Sequence, residues 1–317
     1  MTEKIYCSVD IGGSKILLLL INGKGRVLFK KKTSTPKPEE PSAIVATIES
    51  LLKDAAATGN NEAFRKPSGL GVAIAGFVDH RAGLVHQSPN LHWVSPVPIG
   101  QLLEEAFKCP VMIENDANAA VIGEVFYGAA RGHRDVIYIT ISTGIGGGLF
   151  LDGRLYRGAS GFAGEIGHIK PFGKGRPCKC GGNDCLETWA SGDAISRSAE
   201  LLWDKNDFPG NKIDTAWVFK QSESGNPIAK TIIDHAIKNI GRGLANLVNL
   251  FNPSCLVIGG GVAGNKPDFL KEVKDRIKAE AIRPSVEITP FKIYAAKLEP
   301  EAGIWGMYAL LTDRMVE

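Results

Sequence analysis

One arrangement of residues occurs twice in this chain, and it restricts the fold more than any other feature. The segment IYCSVDIGGSKILLLLINGKG reads as a strand (Ile5 to Val9), a glycine turn, a second strand (Ile16 to Ile21) and a turn at Asn22-Gly23-Lys24-Gly25, with a third strand (Val27 to Lys31) after it. The segment IYITISTGIGGGLFLDG repeats the order: a strand from Val136 to Ser142, a Gly-rich turn from Thr143 to Gly148, a strand from Leu149 to Leu151, a turn at Asp152-Gly153 and a strand from Arg154 to Tyr156. Two copies of one device predict two related α/β lobes and argue against a single doubly wound sheet.

Helices and further strands follow each meander. The first half carries a helix from about Ser42 to Thr58 that Ser42 can cap, strands at Leu70 to Ala75 and Val111 to Glu114, and a helix after Asn115. The second half answers with helices near Gly192 to Trp203, Pro227 to Phe251 and Pro267 to Ala281, a strand at Leu256 to Ile258, and a closing helix from about Glu301 to Leu311. Asp204 to Gly210 reads as an exposed loop.

Charge and hydropathy remove several classes of function. The 37 basic residues nearly balance the 34 acidic ones, and no basic cluster exceeds Lys30-Lys31-Lys32, so a nucleic-acid partner is not expected. The longest purely aliphatic run, Ile16 to Ile21, is too short to span a bilayer, and Met1-Thr2-Glu3-Lys4 leads into a strand without signal-peptide features. A cytoplasmic protein is expected. Of six cysteines, Cys7, Cys109 and Cys255 stand alone in apolar segments while Cys178, Cys180 and Cys185 crowd together, which points to a reducing compartment and a metal.

Four places carry chemistry. In Asp10-Ile11-Gly12-Gly13-Ser14-Lys15 the paired glycines let backbone N–H groups approach an anion, Ser14 adds a hydroxyl, Lys15 a charge, and Asp10 can hold a metal through water. A plain hairpin explains one such turn equally well, but Ser142-Thr143-Gly144-Ile145-Gly146-Gly147-Gly148 stands in the matching place of the second copy, so both loops are read as embracing one ligand. Gly259, Gly261 and Gly264 also fit the GxGxxG of a Rossmann oxidoreductase; the late position and Arg283 near the place of the ribose-binding acid favour adenosine packing against Gly260 and Gly261 instead.

In Glu114-Asn115-Asp116-Ala117-Asn118 a strand ends in polar residues and a helix begins, so Asp116 is placed to accept a proton from a substrate hydroxyl as a bond to phosphorus forms. A helix N-cap is the alternative for the same residue. Finally, His168 with Cys178, Cys180 and Cys185 makes a donor set for a structural, four-ligand Zn²⁺, a redox cluster being the alternative. Glu165 and Glu187 flank this knot, which would hold both carboxylates rigidly enough to bind sugar hydroxyls.

DIGGSK, ENDANAA, STGIGGG, GEIGH and CKCGGNDCLE, in this order over nearly the whole chain, resemble the ROK family of sugar kinases and repressors. The resemblance implies a two-lobed actin-like ATPase (ribonuclease H-like) fold with duplicated α/β domains and an interlobe cleft. The lobes would be residues 1–120 and 121–299, with the helix of about 300–317 packing back on the first. It implies ATP-dependent phosphorylation of a hexose, usually at the 6-hydroxyl, with GFAGEIGH and CLE nearest to glucokinase-type members. N-acetylglucosamine, N-acetylmannosamine, mannose or fructose remain open as substrates, and polyphosphate as donor.

The family's roles then fall on Asp116 as base and on Asn115, Glu165, His168 and Glu187 as sugar ligands, with Gly76 and Asn90 in segments near the sugar. His168, Cys178, Cys180 and Cys185 would bind zinc, His168 serving zinc and sugar through different ring nitrogens. Asp10, Gly12, Gly13, Ser14 and Lys15 would hold ATP phosphates and Mg²⁺ with Thr143, Gly144, Gly146 and Gly147, and Gly260 and Gly261 would lie near adenosine. A homodimer is expected from the family. Three departures stand out: Ser14 where threonine is usual, Ala75 before Gly76 where many members have proline, and Asp184 in place of a common glycine, a residue that tolerates left-handed backbone. A strand beginning at Ile5 leaves no room for a repressor's helix-turn-helix, so a sensor without catalysis is the binding-module alternative.

Overall fold

In the computed structural model, residues 3–59, 61–171, 175–203, 213–264, 266–288 and 291–312 are described, and the loop expected at Asp204 to Gly210 lies outside them. The chain forms two units: Met1–Gly132 with Arg154–Ala163 and Lys297–Glu317, and His133–Gly153 with Gly164–Ala296.

The first unit contains β1 (Ile5–Ile11), β2 (Lys15–Asn22), β3 (Val27–Ser34), α1 (Pro41–Gly59), β4 (Gly69–Ile74), β5 (Phe77–Asp79), β6 (Leu84–Gln87), α2 (Ile99–Phe107), β7 (Val111–Asn115) and α3 (Asp116–Phe126). Its sheet runs β3-β2-β1-β4-β7, with β2 antiparallel to both neighbours and β1, β4 and β7 parallel. The aliphatic run of β2 follows from its place. Leu18 and Leu20 join Ile44, Ile48 and Leu52 of α1 on one face, while Leu17, Leu19 and Ile21 pack on the other against Ile304 and Tyr308. A strand covered on both faces has no polar side to display.

The second unit contains β8 (Val136–Ile141) and β9 (Ile145–Leu151); β10 (Arg154–Leu155) belongs to the first. There follow α4 (Glu187–Ala190), α5 (Gly192–Leu202), α6 (Thr215–Glu223), α7 (Pro227–Phe251), β11 (Cys255–Gly259), α8 (Pro267–Glu280), α9 (Arg283–Glu287) and β12 (Lys292–Ala295). Strand order β9-β8-β11-β12, with β9 antiparallel to β8 and the other pairs parallel, repeats β2-β1-β4-β7 of the first unit. The duplication is therefore topological: this is the two-lobed actin-like α/β fold. Asn226 caps α7 by accepting from the N–H of Ile228 and Ala229 at 2.9 and 3.2 Å, and Pro227 occupies the first turn. Its buried face, including Ile233, Ile237, Ile240 and Leu244, belongs to one core cluster with Ile137 and Ile139 of β8 and Leu256 and Ile258 of β11.

The chain ends its described part in α10 (Ala302–Leu311), which returns to the first unit. It crosses α3 where side chains are missing: a Cβ on Gly306 would strike the carbonyl of Ala119, and one on Gly123 the carbonyl of Ala302. Among the described residues no helix is long and apolar enough to cross a membrane.

Two local expectations are corrected. Ser42 does not cap α1, which begins one residue earlier, with the Ile44 N–H bonded to the Glu40 carbonyl at 3.1 Å. Proline at the first helical position gives up only an N–H that has no helical partner there. The second glycine turn is shorter than its composition indicates. Gly146, Gly147 and Gly148 lie inside β9, opposite Thr140, Ile139 and Tyr138. At position 147 glycine is required because another segment presses on the strand: a Cβ on Gly147 would strike the Ile166 side chain, and Gly164, at φ 93°, passes the Gly147 carbonyl.

Candidate functional site

The first glycine turn is held from behind. Gly12 N–H bonds to the Lys15 carbonyl at 3.0 Å, and the Thr35 hydroxyl donates to the Gly12 carbonyl at 2.6 Å. Thr35 N–H donates to the Ser14 carbonyl at 3.2 Å, and Lys37 Nζ to the Gly13 carbonyl at 3.1 Å. The N–H groups of Gly13 and Ser14 donate to no other described residue. Carbonyls tied back and amides left over are what an anion cradle needs. Gly13 must lack a side chain, because its Cβ would collide with the backbone of Asn90. Gly76, at φ 148°, passes the Gln87 carbonyl and Ser88, and the Ser88 hydroxyl donates to the Ala75 carbonyl at 2.5 Å. The 75–76 loop is thus fastened although Ala75 stands where proline is common. Asp10, Gly12 to Lys15, Gly76 and Asn90 come together around the carboxyl ends of β1 and β4.

At the end of β7 the question of the cap resolves in favour of Asn115. Its Oδ1 accepts from the N–H of Ala117 and Asn118 at 2.9 and 3.0 Å, and its Nδ2 donates to the Gly76 carbonyl at 3.0 Å. Asp116 is then the first residue of α3, with one oxygen accepting from Ala117 N–H at 2.9 Å. Beneath it, buried Glu114 accepts from Asn115 N–H and Asn118 Nδ2 through Oε1 and from Arg157 Nε through Oε2, at 3.0, 3.1 and 2.7 Å. Sequence reading missed Glu114 and Arg157. A charged residue at the end of an otherwise apolar strand was the available signal, but the partner lies 43 residues away.

Asp116 is half-buried, and burial raises its pKa above the ordinary aspartate value. Asp10 is raised to about 7 by burial and, secondarily, by the charge of Asp116, with Lys15 opposing. Two carboxylates that resist joint ionisation make a place where a cation is favoured. The sign of the stability effect follows: the folded state holds the Asp10 proton more tightly than the unfolded chain, so stability falls as pH rises from the ordinary aspartate range through about 7. The ligand-free Asp10→Asn variant is expected to exceed the wild type at pH 8 by up to about 4 kcal/mol and to lose most of that advantage near pH 4. Urea unfolding at the two pH values measures it; equal pH responses in the two proteins would contradict the assignment.

In the second unit the turn from Ser142 to Gly144 is fastened to the start of α5: Gly192 and Asp193 N–H groups donate to the Ser142 and Thr143 carbonyls at 2.7 and 3.2 Å. Gly260, at φ 92°, passes the Ile141 backbone, and Val262 N–H donates to the Ile141 carbonyl at 3.0 Å. Thr143, Gly144, Gly260 and Gly261 therefore lie at the carboxyl ends of the adjacent strands β8 and β11, with open space over Gly261. Gly147 is buried in the sheet, which removes it from the surface a phosphate can reach; Gly146 stays half-buried. For a dinucleotide site, β12 would have to end on an acid, and it runs instead into Ala295, Ala296 and Lys297.

His168, Cys178, Cys180 and Cys185 each place one donor atom within 4.8 Å of the others. His168 Nδ1 lies 3.8 Å from Cys178 Sγ, and Cys180 Sγ lies 3.6 Å from Cys185 Sγ. The backbone makes this possible. Cys178 N–H bonds to the Gly182 carbonyl at 2.8 Å, and Asp184, in left-handed backbone at φ 62°, accepts from the N–H of Gly175 and Arg176 at 2.8 and 2.9 Å. Aspartate thus closes the knot where glycine is common. One imidazole and three thiols at these separations fit a tetrahedral zinc ion. Burial pushes the Cys185 thiol up to about 12 while the Gly182 N–H lowers Cys180, and a divalent ion is the charge that lets all three ionise together. Cys7, Cys109 and Cys255 stand apart as free thiols.

The knot reaches beyond the metal ligands. His168 Nε2 faces Glu165 Oε2 at 3.7 Å, and Glu187 Oε2 accepts from the Ile145 N–H at 3.1 Å. Glu187 also fills the space a Cβ on Gly144 would need. The acid that sequence reading placed near sugar is therefore fastened to the second glycine turn as well.

A profile of the ROK family matches residues 6–314. A glucokinase of Halalkalibacterium halodurans is 33% identical over 315 residues, covering 96% of this chain and 94% of that protein. A xylose repressor of Caldicellulosiruptor bescii is 29% identical, covering 97% of this chain and 78% of that protein. Among solved structures, a ROK family glucokinase from Streptomyces griseus in complex with glucose and AMPPNP superposes with a TM-score of 0.80 at 33% identity, covering 96% of this chain and 98% of that one.

Proposed function

The chain belongs to the ROK family, and from that premise we propose that it is an ATP-dependent hexose kinase, with glucose, phosphorylated at its 6-hydroxyl, as the first candidate substrate. One observation carries the reading: Asn115 takes the capping role, which leaves the carboxylate of Asp116 for chemistry. In this mechanism Asp116 accepts the proton of the sugar hydroxyl. The hydroxyl oxygen forms a bond to the γ-phosphorus, the bond from that phosphorus to the β–γ bridging oxygen breaks, and ADP leaves with the electron pair.

Asp10, Gly12, Gly13, Ser14 and Lys15 would hold the phosphates together with Thr143, Gly144 and Gly146, and Gly260 and Gly261 would lie against adenosine. Mg²⁺, near Asp10, would neutralise phosphate charge. Sugar hydroxyls are assigned to Gly76, Asn90, Asn115, Glu165, His168 and Glu187, and a structural zinc ion to His168, Cys178, Cys180 and Cys185. The reading includes a cytoplasmic setting, where ATP is available, and a homodimer; the lobe boundary expected at residues 120 and 121 would cut α3, and the first unit instead runs on to Gly132. Glucose and AMPPNP in the Streptomyces griseus glucokinase support the choice of ligands.

The repressor relative favours a second reading, a sugar sensor without turnover. A panel of hexoses and N-acetylhexosamines assayed by coupled ADP release separates the two. Turnover with one sugar at least about tenfold above the rest is expected for the kinase, since a site that bonds a particular hydroxyl penalises analogues lacking it. Sugar binding with no ADP release from any member would replace the kinase by the sensor.

A further inference from the structure

The hairpin of β5 and β6 and the segment Arg154 to Gly161 enclose a cavity of about 400 Å³ within the first unit. Its lining includes Asp79, His80 and Arg81 from the hairpin turn and Arg154, Tyr156 and Arg157 from the segment. None of these is assigned to substrate, nucleotide or metal above, and only Arg157 touches that site, through Glu114. The framework is fixed: Phe162 meets Phe77 and His86 edge-on at ring separations of 5.7 and 5.6 Å, and Arg157 Nε is anchored on Glu114 at 2.7 Å.

The charges are unbalanced. Of the three guanidinium groups, that of Arg157 is paired with Glu114, which leaves Arg81 and Arg154 against the one lining carboxylate, and Asp79 turns one oxygen to the N–H groups of Arg81 and Ala82 at 3.0 and 3.1 Å. Arg81 and Arg154 form no ion pair with any described residue, and the two terminal NH₂ groups of Arg157 have no described partner. The backbone N–H groups from Gly158 to Gly161 donate to no described residue either, and glycines at φ 69° and 93° bound that turn. His80 is held below the ordinary histidine pKa by burial and then by the charge of Arg157, with Arg81 adding to it and Glu114 and Asp79 opposing, so both guanidiniums bear on one point of the cavity. Planar forks of N–H donors with spare backbone amides match the oxygens of a phosphoryl group. The volume admits a hexose-sized ester as well as the bare ion.

We propose that this cavity binds a phosphoryl dianion, either inorganic phosphate or the phosphate monoester of a small sugar. The site does not depend on the kinase reading. Hydrogen–deuterium exchange of the full chain tests it, with inorganic phosphate and with glucose 6-phosphate at millimolar concentration, against sodium chloride of equal ionic strength. Slowed exchange at residues 154–161 is expected, with the apparent Kd weakened at least about tenfold in the double variant Arg81→Ser, Arg154→Ser, because each guanidinium lost removes charge-assisted hydrogen bonds. Both side chains are exposed at the rim, so the variant folds as the wild type does. Protection by the ester alone assigns a sugar phosphate, and equal protection by both assigns the phosphoryl group itself. Protection by neither, protection matched by sodium chloride, or protection undiminished in the double variant overturns the site.

Discussion

Replacing Asp116 by asparagine is expected to lower kcat for sugar phosphorylation by about 10²–10⁴, the span that a positioned general base contributes. The substitution keeps the shape of the side chain and removes its capacity to take a proton. It leaves the start of α3 intact, because the cap is Asn115. Its effect on folding has the favourable sign. Burial raises the Asp116 pKa, so a neutral amide relieves strain above the ordinary aspartate range, and the variant is expected to unfold no more easily than the wild type at pH 7. Sugar affinity is expected to change little, which would place the loss in the transition state. The informative control is Asn115→Ala, which strips the cap and the bond to Gly76 and is expected to cost about 1 kcal/mol of stability. Wild-type kcat in Asp116→Asn would remove the residue from the reaction.

That prediction shows where local sequence stops being informative. Asn115 and Asp116 are both good caps, and residue preference does not choose between them. The choice is made at long range, by the Gly76 carbonyl, which takes the Asn115 amide and turns its oxygen toward the helix. The glycines of β9 teach the same lesson. Composition marks a run of three as a turn, yet the demand for glycine at 147 comes from Ile166 and Gly164 pressing on a strand. Features with local causes were legible. The meander of β1 and β2 follows from its aliphatic run and its turn glycines, α7 from its apolar spacing, and the gathering of His168 with Cys178, Cys180 and Cys185 from donor chemistry alone. The hairpin of β5 and β6 and the helices α2 and α6 went unread, being too short, at three to nine residues, for a period to show.

Removing the metal is expected to weaken sugar affinity by about 10–100-fold, the usual size of effects transmitted through groups around a metal site. Within the knot the Cys-bearing turn from Cys178 to Gly182 is closed by the Cys178 N–H on the Gly182 carbonyl at 2.8 Å, while its flanks are fastened by the Asp184 carboxylate, by Arg176 on the Thr188 carbonyl and over the Trp189 ring, and by the Leu186 N–H on the Ile169 carbonyl at 2.8 Å. With three thiols protonated and crowded on one imidazole, that turn loses what holds it closed. Both carboxylates assigned to sugar depend on it. Glu165 faces His168, whose other ring nitrogen faces Cys178, and Glu187 follows Cys185 by two residues. Because Glu187 also accepts from Ile145, metal loss should loosen the second glycine turn, so faster amide exchange at residues 142–146 is expected beside the fall in sugar affinity. Nucleotide affinity should fall less, since Asp10, Gly12, Gly13, Ser14 and Lys15 lie in the other unit. Calorimetric titration of sugar and of AMPPNP into chelated and zinc-restored protein, with zinc content measured alongside, decides the matter. A metal-free sample with undiminished sugar affinity would show that Glu165 and Glu187 are held by the fold alone.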